Sequence, residues 1–361
     1  MKRPVYIASR GLLCARGESP GAVAEALWAG GRFVAERRRL GQREFPYFGL
    51  ALENGNWLTR AEQAVSCVAR QLGAISPETT LFIASSSFQI GHFEQQGSPF
   101  ELPIANAEFS RCIAAWMQLS GPRHSLSNAC ISGFSAIDAA RSLIAAGLID
   151  EAVVVGVELR NDITLAGFAA MELLSPTACQ PFDAQRDGLV LGEAVAALHL
   201  TAAPTGWRIA GLRTGIDSYS MTGPDPAGGP IAALMHATLN DAGLAASAID
   251  LVKLQAAGSP GTDLAEANAL RQVFAPAMPP LLSLKSALGH TLGASGIAET
   301  AALLACLDAE QISATAGFTA PDPEIGLVPT TERCAARTNH ALLNLIGFGG
   351  GLATMIVERQ P

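Results

Sequence analysis

Two kinds of apolar pattern alternate along this chain. Short runs rich in β-branched residues are followed by longer alanine-rich stretches, the arrangement of strands feeding crossover helices in a largely parallel sheet. The run EAVVVGVE (151–158) is nearly continuous in valine, which predicts a strand buried on both faces. Ahead of it, GFSAIDAARSLIAAGLID predicts a helix that stops near Gly147, a residue suited to a C-terminal cap. The opening residues predict a first strand from Val5 to Ser9.

The second half repeats this kind of order. After the strand-like ALHL comes a polar stretch with proline and glycine, YSMTGPDPAGGP (219–230), then a helix over IAALMHATLNDAGL and the apolar IDLVKLQAAG. A small-residue helix begins near GASGIAETAALLACL (293–307), and HALLNLIGFGGGLATMIVE follows towards the end. Each half thus carries its own strand and helix series with a polar turn delivering chemistry. That predicts a duplicated architecture, although no fixed-period repeat is visible.

Composition narrows the class. A chain of 361 residues has room for two domains or one large α/β unit. With 49% hydrophobic and 16% charged residues, a globular enzyme or an obligate oligomer fits and a disordered or fibrous chain does not. No membrane-spanning helix is expected, and Arg10 and Arg16 interrupt the opening segment before a signal-peptide core can form. The seven cysteines are scattered without a CxxC pair, which argues against a disulfide framework or a zinc site and points to a reducing, cytoplasmic setting. A net charge of −8 gives no footprint for nucleic acid. One basic cluster, Arg37, Arg38, Arg39 and Arg43, reads as a solvated face, with docking of an acidic partner as the alternative.

Two stretches carry candidate chemistry. In SLSNACISGFSAIDAA (125–140), Cys130 stands between a strand end and a helix start, where free N–H groups and a partial positive charge favour a thiolate. Its small neighbours Ala129, Ser132 and Gly133 would let a carbonyl approach; the bland alternative is a buried apolar filler, the commoner fate of a free cysteine. In LKSALGHTLGASGIAE (284–299), His290 lies beside Gly289 just ahead of a small-residue helix, with Lys285 five residues upstream. A lone histidine is more often a satisfied core residue, yet these glycines clear side chains from a backbone that something must approach. Its Nε2 could donate to a developing oxyanion while the backbone holds its other nitrogen.

KSALGHTLGASG resembles the lysine–histidine motif of the β-ketoacyl synthases, the condensing enzymes of the thiolase superfamily, and SNACISG is similar to their nucleophile elbow. QPFDAQRDGLVLGEA (180–194), GFAAMELLS (167–175), MTGPDPAG (221–228) and NLIGFGGG (344–351) fall in the expected places. The resemblance covers nearly the whole chain, from GLLCARGESPGAVAEALWAG onwards. It implies an α/β, thiolase-like fold, a duplicated αβαβα five-layer sandwich with a mixed five-stranded sheet in each half. The halves would span 1–203, with the nucleophile elbow, and 204–361, with the Lys/His motif and the glycine-rich loop.

The resemblance further implies that Cys130 accepts an acyl group from the phosphopantetheine thioester of an acyl carrier protein, with no other cofactor and no metal. The N–H groups of Cys130 and Phe348 would form the oxyanion hole, Phe348 would also gate the acyl pocket, and Lys285, paired with Glu266, would shape the field around His290. Two departures stand out. Aligned on Gly258 and on Asp263 and Glu266 in LQAAGSPGTDLAEANAL (254–270), the second catalytic histidine of decarboxylative condensing enzymes falls at Ala257. In GFGGGLA, Gly351 and Leu352 stand where the family usually has threonine and asparagine.

Losing one oxyanion donor costs roughly 10²–10³ in rate, which leaves acyl transfer feasible and handicaps decarboxylative condensation. A water or Gln255 is the alternative source of the missing donor. The leading expectation is a chain-length-factor-like partner of a complete ketosynthase. The competing one is a β-ketoacyl synthase or acyltransferase using Cys130 and His290; a cysteine hydrolase of the α/β-hydrolase type lacks its GxCxG elbow here. Dimerisation is expected, with a ketosynthase subunit or with a second copy.

Overall fold

The structure, a computed structural model, describes residues 3–31, 33–52, 55–97 and 102–361. Ten strands form one sheet, in the order Leu281–Leu282, Leu251–Lys253, His340–Ile346, Gly351–Arg359, Trp207–Ile216, Tyr6–Cys14, Ala194–Thr201, Glu151–Glu158, Thr80–Ala84 and Arg123–Leu126. The first five come from the C-terminal part of the chain and the last five from the N-terminal part. They meet where Tyr6 and Ile7 pair antiparallel with Arg208 and Trp207. The two sheets expected from the sequence are therefore joined by a short seam.

Side-chain alternation along these strands builds the layers. Val153, Val155 and Val157 face an outer layer containing Val65 and Ile113, from the helices Trp57–Gln71 and Leu102–Trp116. Ala152 and Val154 face the opposite way, onto Phe134, Ile137, Ile297 and Leu303. In the other half Leu342 and Ile356 face Met235 and Leu270, from the outer helices Gly229–Ala242 and Pro260–Phe274. Leu343 and Met355 turn to the same inner cluster as Phe134. The helices Ser132–Ala145 and Ser295–Asp308 thus form a middle layer between two sheets, which completes the five-layer, thiolase-like sandwich.

The strand Glu151–Glu158 and the helix ending at the Ala146 cap, followed by Gly147 at φ 77, fall where the sequence puts them. The first strand is longer than expected, Tyr6–Cys14, and IDLVKLQAAG yields a strand of just Leu251–Lys253. The basic cluster lies on the hairpin Glu36–Leu40 and Arg43–Phe48. Its arginines engage their own chain. Arg38 pairs with Asp162 at 2.6 Å, Arg37 donates to the Pro176 carbonyl at 2.9 Å, and Arg43 lies over Phe45. Among the described residues no helix is long and apolar enough to cross a membrane.

Candidate active site

Cys130 sits on a strained turn. Ala129 adopts φ 44, a left-handed conformation that costs a residue with a Cβ roughly 1–3 kcal/mol and persists where the surroundings impose it. Ser132 Oγ imposes it here, donating to the Ala129 carbonyl at 2.6 Å and accepting from Asn128 N at 2.8 Å. The helix Ser132–Ala145 starts two residues beyond the sulfur. This is the elbow expected from SNACISG.

The sulfur meets His290, 160 residues away in sequence. Cys130 Sγ lies 3.2 Å from His290 Nε2, and both residues are buried. His290 Nδ1 bonds Ser295 Oγ at 3.2 Å, not the backbone as expected, and Thr291 Oγ1 lies 3.2 Å from the same hydroxyl. The ring's main chain is fixed separately, with His290 N donating to the Val190 carbonyl at 2.7 Å and Gly192 N donating to the His290 carbonyl at 3.1 Å. Gly289 makes that close pass possible: its φ is 77, and a Cβ there would lie 3.0 Å from the Gly192 Cα. The 180–194 motif therefore serves as the rail along which His290 is laid.

Burial decides the protonation of this pair. It pushes the Cys130 thiol up to about 11, although the N–H groups of Phe348 and Cys130 and the charge of Lys285 pull the other way. The thiolate expected from the helix terminus is outweighed by desolvation. Burial, with Lys285 and Lys253 nearby, holds His290 well below the usual imidazole range. Thiol and imidazole are thus both neutral near pH 7. With Nδ1–H donated to Ser295, Nε2 is free to accept the thiol proton.

Lys285 does not pair with Glu266. Its Nζ bonds Glu299, as does the Nζ of Lys253, and all three are fully buried. Lys253 also donates to the Asn344 carbonyl at 3.1 Å. Burial pushes Glu299 upward, but the two lysines outweigh it and hold its pKa below the ordinary carboxylate value. Glu266 instead accepts from Gln255 N at 2.7 Å, Ala256 N at 2.8 Å and Asn344 Nδ2 at 2.7 Å. One turn earlier on the same helix, Asp263 accepts from Ala257 N and Gly258 N at 3.1 and 3.2 Å. Two acids at i and i+3 therefore clamp four successive amides of the 255–258 loop.

Sequence reasoning missed Lys253, Glu299, Ser295 and Glu158. Two carried a signal: Lys253 and Glu299 are isolated charges in otherwise apolar runs, and such a charge must be paired if buried. Glu158, at the end of its strand, accepts from Ser86 N at 2.9 Å, Ser87 N at 3.2 Å and Gly293 N at 3.0 Å, tying the loop after His290 to the N-terminal sheet.

A cavity of about 40 Å³ lies above the sulfur, lined by Cys130, His290, Gln255, Ala257, Phe348 and Pro224 among others. Phe348 closes one side, with its ring 5.2 Å from that of Phe168 in an edge-on contact. Gly349 N donates to the Met221 carbonyl at 3.0 Å, so the GFGGG and MTGPDPAG segments meet at this wall. Nucleophile, imidazole and two N–H donors at the sulfur together can support acyl transfer.

Residues 50–205 match the N-terminal domain, and residues 208–319 the C-terminal domain, of the beta-ketoacyl synthase family. The 3-oxoacyl-[acyl-carrier-protein] synthase 2 of Coxiella burnetii is 30% identical over 282 residues, 73% of this chain and 68% of that protein. This chain belongs to the β-ketoacyl synthase family. Its relative in Mycobacterium tuberculosis, also a 3-oxoacyl-[acyl-carrier-protein] synthase 2, is 36% identical over 240 residues, 62% of this chain and 58% of that enzyme's length. Among solved structures, a β-ketoacyl synthase from Burkholderia phymatum superposes with a TM-score of 0.84 at 25% identity, over 100% of both chains. A ketosynthase in complex with its chain length factor, from Xenorhabdus doucetiae, matches 99% of this chain and 98% of that one, with a TM-score of 0.84 at 24% identity. At that identity the likeness is one of fold.

Proposed function

We propose that this β-ketoacyl synthase family member is a subunit of an acyl-carrier-protein-dependent type II polyketide or fatty-acid synthase, acting as a chain-length-factor-like partner of a complete ketosynthase. The observation that carries this reading is the combination at one cavity of an intact Cys130–His290 contact with a methyl group at Ala257. A methyl group neither donates a hydrogen bond nor moves a proton, so the second imidazole of a decarboxylative centre has no counterpart at that position. On this reading condensation takes place at the partner ketosynthase, which carries both histidines. The strand Arg123–Leu126 stands at one edge of the sheet with its outer side open among the described residues, a ready site for strand addition from another subunit.

A second reading rests on the dyad itself. As an acyltransferase or synthase, the chain would pass the Cys130 proton to His290 Nε2 while sulfur attacks the pantetheine thioester carbonyl. The N–H groups of Cys130 and Phe348 would hold the oxyanion; collapse breaks the pantetheine C–S bond, and the departing thiolate takes the proton back from His290.

Co-expression with a ketosynthase that carries both histidines, followed by purification, tests the first reading. A stable one-to-one complex is expected, and a homodimer that excludes the ketosynthase would contradict it. Intact-mass analysis after incubation with an acyl carrier protein bearing an acyl group tests the second. An adduct lost in Cys130→Ala supports acyl transfer, and an unmodified Cys130 removes it.

A further inference from the structure

A second cavity, of about 840 Å³, plays no part in the chemistry above and shares no lining residue with the small cavity over Cys130. The two lie back to back. Cys179 lines the larger, and its Sγ donates at 3.1 Å to the carbonyl of Ala257, which lines the smaller. Small-molecule sites have volumes of roughly 300–1,000 Å³.

The lining divides by chemistry. Phe33, Phe48, Val190 and Phe318 give apolar walls, and Val34, 83% exposed, leaves an apolar side chain in water at the mouth. Arg37 is the one charged lining residue among those described. Its guanidinium donates to the carbonyls of Pro176 at 2.9 Å and Glu44 at 3.1 Å. Both acceptors are neutral, so the charge lacks a counter-ion and further N–H groups remain to donate. Ser286, also on the lining, is 6% exposed, and its Oγ has no hydrogen-bond partner. Buried hydroxyls in native proteins are normally paired, which leaves this one available to a ligand.

These features specify a ligand class. An unpaired guanidinium selects an anion, and its fork fits a carboxylate. One guanidinium balances the single charge of a carboxylate, whereas a phosphomonoester would bring about two. The walls require an apolar body, and the Ser286 hydroxyl can donate to an oxygen on that body. We infer that this cavity binds an apolar carboxylic acid bearing a further hydroxyl or carbonyl oxygen, with the carboxylate on Arg37 and that oxygen on Ser286. Cys179, the one thiol on the lining, has its hydrogen committed to Ala257, so the acid is held and not transformed. The site stands independently of the carrier-protein reading.

Isothermal titration calorimetry of the full chain with ω-hydroxy fatty acids of six to twelve carbons tests this, because the series scans the span between the two polar groups. At least one member is expected to bind in a one-to-one ratio. Its affinity should fall about tenfold in Arg37→Gln and less in Arg37→Lys, which keeps the charge. Ser286→Ala should weaken the hydroxy acid about threefold and leave the unsubstituted acid of the same length unchanged, which separates a lost hydrogen bond from lost folding. Ala178→Phe fills this cavity from its lining and should abolish binding; Cys130→Met fills the small cavity instead and should preserve it. Affinity unchanged in Arg37→Gln or in Ser286→Ala would overturn the assignment, as would binding lost in Cys130→Met and kept in Ala178→Phe. Absence of binding across the whole series would overturn it too.

Discussion

At Cys130 two influences oppose each other. The N–H groups of Phe348 and of Cys130 itself favour a thiolate, while almost complete removal from water penalises it and brings the thiol to about 11. With His290 neutral beside it, the resting pair is thiol and imidazole. The sign of the pH dependence follows: thiolate content grows as pH rises towards 11. Alkylation of Cys130 by iodoacetamide should therefore increase by about tenfold per pH unit from 7 to 10, as a thiol titrating above that range requires. A plateau reached by pH 8 would indicate a thiolate–imidazolium pair and contradict this protonation state. Residue type and position before a helix were legible in the sequence. The depth of burial was not, because Phe348 and Leu189 cover the sulfur from distant parts of the chain.

Among the elements, the deepest coupling runs through Glu299. This side chain on the helix Ser295–Asp308 bonds Lys253 at the end of a C-terminal strand and Lys285 in the short helix Lys285–Leu288. It is the shared counter-ion of two buried lysines. Removing one partner of a buried ion pair costs about 3–5 kcal/mol, because the remaining charge is left uncompensated. Glu299→Gln should therefore lower unfolding free energy by about that amount in denaturant titration. A loss below about 1 kcal/mol would mean that the lysines are neutral or find another carboxylate. Here the family resemblance implied Glu266 as the partner of Lys285. Glu266 is committed to the amides of 255–258, a role set by main-chain geometry that residue spacing does not reveal.

On the scale of the whole molecule, the order of motifs made the fold readable, and the inner helices confirm why small residues recur there: two sheets close on them from both sides. The seam between Tyr6–Ile7 and Arg208–Trp207 was not readable, since two paired residues leave no periodic trace. Pairing with another subunit through the edge strand makes its own prediction. Leu81 N bonds the Pro122 carbonyl and Ser85 N bonds the Leu126 carbonyl, so the even-numbered residues face inward and Ser125 presents its N–H outward. Ser125→Pro removes that donor without breaking the inner ladder. It should weaken subunit association at least tenfold by sedimentation while leaving the melting temperature of the isolated chain nearly unchanged. Unaltered association would exclude this edge as the interface.

The central claim, that this chain alone lacks decarboxylative condensing power, is tested most directly by following carbon dioxide released from malonyl-acyl carrier protein by the purified chain. Release is expected roughly 10²–10³-fold below that of a ketosynthase with both histidines, restored when such a ketosynthase is added. Release by the chain alone at the rate of that ketosynthase would contradict it.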